Sequence, residues 1–152
     1  MIELRNLLLA VDFSDTCLKA TEYAVALANR FGATLHLLHV IEDPVVYLPM
    51  FESYPLPTRK QFETYAMDRL ENWIPNPIAE GLKLELHFRH GAPHLEIIDY
   101  ADDSQIDLIV MGTHGRGMAG HLLLGSVAEK VIRKAPCPAL TVHVSGRQFV
   151  HA

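Results

Sequence analysis

The sequence predicts an α/β protein: a single doubly wound open sheet of five parallel strands, alternating with four helices. Three observations predict it. Short, continuous apolar runs recur along the chain, as in Leu7-Leu8-Leu9-Ala10-Val11 and Ile109-Val110-Met111, and such runs mark strands covered on both faces. Stretches of helical periodicity separate them, the alternation that builds parallel sheets. The chain has 152 residues, 49% of them hydrophobic, which suits one domain with a substantial core and excludes disorder.

The first strand covers residues 6–11 and stops at Asp12. Ser14 or Asp15 then caps a helix running to Phe31, with Ala20, Tyr23, Ala24, Leu27 and Phe31 inward and Gly32 at the position where glycine closes a helix. Residues 34–41 form strand two, completing a βαβ unit. Residues 42–57 carry Pro44, Pro49, Pro55 and Pro57 among aromatics, an irregular segment too apolar for a flexible linker. A helix follows from Thr58 to about Trp73, with Phe62, Tyr65, Ala66, Leu70 and Trp73 inward, and Pro75 and Pro77 break it. Residues 82–89 alternate strictly, so strand three belongs at a sheet edge with one wetter face. Pro93 opens a helix to Asp102 with Leu95, Ile98 and Ala101 inward. Strand four covers 106–111, a last helix 126–134, and strand five 139–144. Residues 1–145 are expected to form the domain and 146–152 a frayed tail.

Thirteen Lys and Arg against eighteen Asp and Glu give a net charge of −5. That balance lacks the broad basic surface that phosphate-backbone contacts need, so no nucleic-acid partner is expected. The apolar run at 7–11 is far too short to span a membrane and has none of the flanks of a signal peptide, so a soluble cytoplasmic protein with no membrane partner is expected. Two cysteines, Cys17 and Cys137, with no metal-binding spacing, fit a reducing compartment and structural roles.

In open α/β sheets ligands lie beyond the carboxyl ends of the strands, where the winding reverses. Two strand ends there carry suitable residues: Asp12 after strand one, and Gly112-Thr113-His114-Gly115-Arg116-Gly117 after strand four, leading through Gly120 and Gly125 into Ser126. Glycines permit positive φ and close backbone approach, while the helix start adds unpaired N–H groups and a positive dipole end. With Arg116 as fixed charge, His114 as donor and Ser126 as hydroxyl, this stretch reads as a phosphate site. It is neither a P-loop, since Gly125 rather than Lys precedes Ser126, nor a dinucleotide fingerprint, since the first βα turn has no glycine. Asp12 alone would suit a turn former, Ser126 an N-cap and Arg116 a solvated charge.

Gly112-x2-Gly115-x9-Gly125-Ser126 resembles the nucleotide-binding signature of the universal stress protein family. The resemblance extends over nearly the whole chain, through Ala10-Val11-Asp12, His39-Val40, Met111-Gly112-Thr113-His114-Gly115 and the closing stretch from Ala135-Pro136 to Val142. It implies an adenine nucleotide alpha hydrolase-like sheet of strand order 3-2-1-4-5. It also implies that the strand end Ala10, Val11 and Asp12, with the backbone near Val40, recognises adenine, and that Met111 and Gly112 lie against ribose. His114, Gly115 and Arg116, with Gly125, Ser126 and Val127, would hold the phosphates of ATP, ADP or AMP, with Mg²⁺ or Mn²⁺. The family further implies a homodimer through the last strand, from Ala139 to Val144, whose exposed edge favours pairing on physical grounds as well.

The nine histidines do not suggest a protein metal site. His87 and His90 differ in parity along a strand and so face opposite ways, His94 follows a turn, and His36 and His39 fail by the same parity. The segment from Tyr47 to Tyr65 suits a lid, a dimer contact or core cover equally. Function is expected to be that of a nucleotide-dependent regulatory switch in stress response, acting on an unknown downstream protein. The alternative is a slow ATP hydrolase or phosphoryl-transfer enzyme on the same site, since no catalytic Lys or loop carboxylate stands near the phosphates. A nucleotide-free interaction module is a third possibility that the glycines disfavour.

Overall fold

The computed structural model describes residues 1–42, 55–114, 124–145 and 149. Its elements are β1 (Asn6–Ala10), α1 (Asp15–Phe31), β2 (Thr34–Ile41), α2 (Arg59–Glu71), α3 (Asn76–Ala79), β3 (Lys83–His90), α4 (Pro93–Asp103), β4 (Leu108–Gly112), α5 (Ser126–Lys134) and β5 (Ala139–Val142). The five strands form one parallel sheet of order β3-β2-β1-β4-β5, as expected. The direction of winding reverses at β1, with β2 on one side and β4 on the other.

The alternation of a strand's side chains explains both cores. Leu7 and Leu9 face α1 and α2, packing with Leu35, Leu37 and Leu70, while Leu8 faces α4 and α5 beside Leu38, Ile109 and Val131. Each of these leucines is sealed from solvent, and burying one contributes about 2 kcal/mol. Ala20, Ala24 and Ala28 recur every fourth residue on the buried face of α1, so the helix lies close to the sheet. Ser14 caps α1 through the Cys17 N–H, and Gly32 closes it at φ +65°.

The structure corrects several inward assignments. Phe31 (42% exposed) and Leu95 (48%) face out. The buried face of α4 is Ile97, Tyr100 and Ala101, and Leu95 stands two residues from Ile97, about 200° round the helix. Tyr65 is 58% exposed and lies on a cavity rim instead of in the core. β5 ends at Val142, two residues short of the expected boundary. α3 was not anticipated: Pro77 sits in its first turn, where a missing N–H costs nothing. The edge position of β3 is as the alternation indicates. Residues 43–54 and 115–123, and with them Gly115, Arg116 and the first part of the aromatic-rich segment, lie outside the described residues, as do 146–148 and 150–152 of the tail.

Candidate functional site

The chain leaves β1 through an unusual turn. Val11 N–H still bonds the Leu38 carbonyl at 2.8 Å, but Phe13 takes φ +63°, the left-handed region that a bulky residue rarely enters. Contacts on its ring hold it there. The His39 ring centroid lies 4.5 Å away, Trp73 packs edge-on at 5.5 Å, and the Arg69 guanidinium sits 4.1 Å from the ring centre. His39 Nδ1 donates to the Val11 carbonyl at 2.7 Å, joining the ends of β1 and β2. Strain of this kind persists where surrounding packing over-determines it, and such positions cluster at functional sites.

Phe13 thereby fixes Asp12. One Asp12 oxygen accepts from the Ser14 N–H at 2.9 Å and the Ser14 hydroxyl at 2.6 Å, while Ser14 Oγ accepts from Cys17 N at 3.2 Å. The turn-forming role and a ligand-facing role thus coexist in Asp12, which also borders the cavity described below. Beneath it, burial first and the Asp12 charge second push the Cys17 thiol up to about 12. Burial likewise raises Cys137. Neither thiol has the electropositive setting of a nucleophile.

At the end of β4, the Thr113 carbonyl accepts from Gly125 N–H at 2.6 Å, and Thr113 N–H donates to the Val142 carbonyl at 3.1 Å. Gly125 has φ −60° and ψ 153°, open to any residue. What demands glycine is space: a Cβ there would stand 2.8 Å from the Thr113 oxygen. A Cβ on Gly112 would stand 2.7 Å from Thr16 Cγ2. Gly112 and Gly125, two of the three signature glycines, are therefore needed by the packing of the chain on itself, and neither has a positive φ.

Gly125 is also the N-cap of α5, with no side-chain cap. Ser126 is the first helical residue and exposed, so it does not cap the helix. Among the described residues the first-turn N–H groups consequently have no side-chain acceptor at the positive end of the helix dipole. Facing it is a cavity of about 750 Å³ at the carboxyl edge of the sheet. Ala10, Val11, Asp12, Val40, Met111 and Gly112 line it, together with Gly125, Ser126 and Val127 at the helix start. Nine of the twelve expected site residues thus converge on one space. His114 is not on its wall: Nδ1 lies 3.0 Å from Thr113 Oγ1, and Nε2 is buried with no partner among the described residues.

Other wall residues escaped sequence reasoning. Phe62, Tyr65 and Ala66 come from α2, and Pro93, His94 and Ile97 from the start of α4. The available signal was the pair Phe62 and Tyr65, two aromatics on one helix face directly after the proline-rich segment.

The universal stress protein family matches residues 3–143. Universal stress protein MJ0531 of Methanocaldococcus jannaschii is 34% identical over 145 residues, covering 91% of this chain and 81% of that protein. Among solved structures, universal stress protein UspA from Lactobacillus plantarum superposes with a TM-score of 0.74 at 27% identity, covering 93% of this chain and 99% of that one. The universal stress protein from Archaeoglobus fulgidus, solved in complex with dAMP, shares the fold at a TM-score of 0.66 and 23% identity, covering 93% and 99%.

Proposed function

The chain belongs to the universal stress protein family, and on that premise we propose that its cavity binds an adenine nucleotide, ATP foremost, as a nucleotide-dependent switch in stress response rather than as a catalyst. One observation carries the reading. A helix start with no side-chain cap among the described residues opens on a cavity of about 750 Å³ at the point where the winding of the sheet reverses. That volume falls in the range of small-molecule sites. The A. fulgidus protein of the same fold holds dAMP.

In this reading Asp12, braced by Ser14, and the backbone at Val40 contact adenine beside Ala10 and Val11. Met111 and Gly112 lie under the ribose. The first N–H groups of α5, at Ser126 and Val127 after Gly125, receive phosphate oxygens, with Gly115 and Arg116 supplying the rest of the loop. Met111 is buried and apolar, which suits a sugar face better than a phosphate. His114 Nε2, buried and without a partner among the described residues, stands off the cavity wall. A divalent cation, Mg²⁺ or Mn²⁺, would neutralise phosphate charge, and among the described residues the carboxylates that border the cavity are Asp12 and Glu42.

We further assign pairing of two copies to the outer edge of β5, whose other edge is bonded to β4. A parallel strand left open on one side presents unpaired N–H and C=O groups. Among the described residues no helix is long and apolar enough to cross a membrane. A cytoplasmic location and a downstream protein partner belong to the same proposal.

The test is to purify the protein without added nucleotide, denature it and identify what is released, then to measure ATP binding with Mg²⁺. Retained or bound ATP that stays intact for hours supports the switch. Steady accumulation of ADP would transfer the reading to a hydrolase, and failure to bind any adenine nucleotide would overturn it.

A further inference from the structure

Away from the cavity, the β2–β3 edge gathers three metal-binding side chains that spacing along either strand does not reveal. The parallel register pairs His36 with Glu85 and Leu38 with His87. Glu85 and His87 share a face of β3, and His36 joins them across the ladder. His87 and His90 do diverge as their parity demands, His90 bonding Glu63 of α2 while His87 packs near Tyr100 of α4. Parity within one strand says nothing of a partner strand, and that is where the second histidine comes from.

We propose that His36, Glu85 and His87 form a binding site for a divalent transition-metal cation of the zinc type. One donor atom from each lies within 4.8 Å of the others. His36 Nδ1 stands 3.4 Å and His87 Nε2 3.1 Å from the same Glu85 oxygen, Oε2. Tetrahedral zinc with bonds of about 2.0–2.1 Å separates neighbouring donors by about 3.3 Å, so two of the three edges are already close to length. Two imidazoles and a carboxylate are ligands suited to Zn²⁺. Both strands are regular here, which holds the donors on rigid backbone.

The surroundings fit a cation with one open position. His36 is buried beneath the site, whereas the Glu85 and His87 side chains are 51% and 40% exposed, giving an ion a route from solvent. The Tyr100 hydroxyl lies 2.8 Å from His36 Nδ1, placed to move onto the Glu85 carboxylate or the fourth position when a cation takes that nitrogen. The Arg89 guanidinium, 5.0 Å from the Tyr100 ring centre, pairs with Asp103 at 2.9 Å and Glu96 at 3.9 Å. His36 Nε2 has no acceptor among the described residues. A bound imidazole lacking its outer partner loses about 10–100-fold in affinity, so this site should bind more weakly than one with a complete outer shell.

The full chain, stripped with a chelator and free of nucleotide, is titrated with Zn²⁺ in a non-coordinating buffer by calorimetry and followed by thermal unfolding. The expected result is one Zn²⁺ per chain and a raised Tm. Glu85→Gln and His87→Gln, at half-exposed positions that leave the fold intact, should each weaken binding by about tenfold or more and remove the Tm rise. Co²⁺ should give the visible absorption of a four-coordinate nitrogen-containing site in the parent protein and lose it in both variants. Absence of Zn²⁺ binding overturns the proposal. Binding unchanged in both variants overturns it equally, by assigning the metal to other histidines.

Discussion

Replacing Gly125 by Ala separates two reasons for a glycine at the mouth of α5. If the glycine exists to let phosphate approach, alanine should leave the unliganded protein as stable as before. The structure predicts otherwise. The added Cβ would stand 2.8 Å from the Thr113 oxygen, which also accepts the 2.6 Å hydrogen bond from Gly125 N–H. Relieving the contact requires the two backbones to part by about half an ångström, an overpacking cost of about 1–3 kcal/mol that includes weakening of that bond. Against it, φ −60° and ψ 153° suit alanine, and the lower entropy of the unfolded chain returns about 0.4–1 kcal/mol. The clash wins, and the net loss is about 1–2 kcal/mol, or a Tm lowered by about 2–8 °C for a chain of this size. Urea unfolding of nucleotide-free protein measures the loss as a lower midpoint with unchanged slope. Equal or greater stability in Gly125→Ala would refute the packing explanation, and ATP affinity measured alongside reports the consequence for the site.

Other expectations are equally direct. Asp12→Ala should weaken ATP relative to GTP and also cost about 1–2 kcal/mol of stability through the lost Ser14 contacts; a variant with full ATP preference would refute the adenine assignment. Thr21→Val removes the acceptor of Trp73 Nε1, 2.9 Å away, and should cost about 1–3 kcal/mol while shifting the emission of the single tryptophan; an unchanged spectrum and midpoint would argue against that bond. The Cys17 thiol keeps its proton in the folded state to about pH 12, against about 9 when unfolded. The folded state then binds more protons, so this contribution is complete below pH 9 and is lost as pH rises towards 12. Cys17→Ala should flatten the alkaline fall in stability, and native protein should resist thiol reagents at pH 8; rapid labelling of Cys17 would contradict its burial.

Periodicity was sufficient for the strands, because a run such as Leu7-Leu8-Leu9 has no solvent-facing alternative and must be covered on both sides. The same logic placed β3 at an edge from its alternating Lys83, Glu85 and His87. It worked less well on helices, where Leu95 and Ile97 are both apolar and only the position of α4 over the sheet selects which one is buried. For the site, the glycine spacing and Asp12 identified the strand ends that meet, while the packing demand at Gly112 and Gly125 shows only in their contacts with Thr16 and Thr113.

By itself, then, the sequence determined the fold class, the edge strand and most of the residues that converge at the carboxyl ends of β1, β2 and β4, since these follow from local periodicity and from chemistry set on fixed spacings. Tertiary structure alone decided what depends on contacts between distant segments. The strained turn at Phe13 rests on His39, Arg69 and Trp73. The need for glycine at 125 rests on Thr113, the cavity wall on α2 and α4, and the meeting of His36 with Glu85 and His87 on the register of two strands. A local pattern encodes which way a side chain points, but the neighbour it meets there is supplied by another part of the chain.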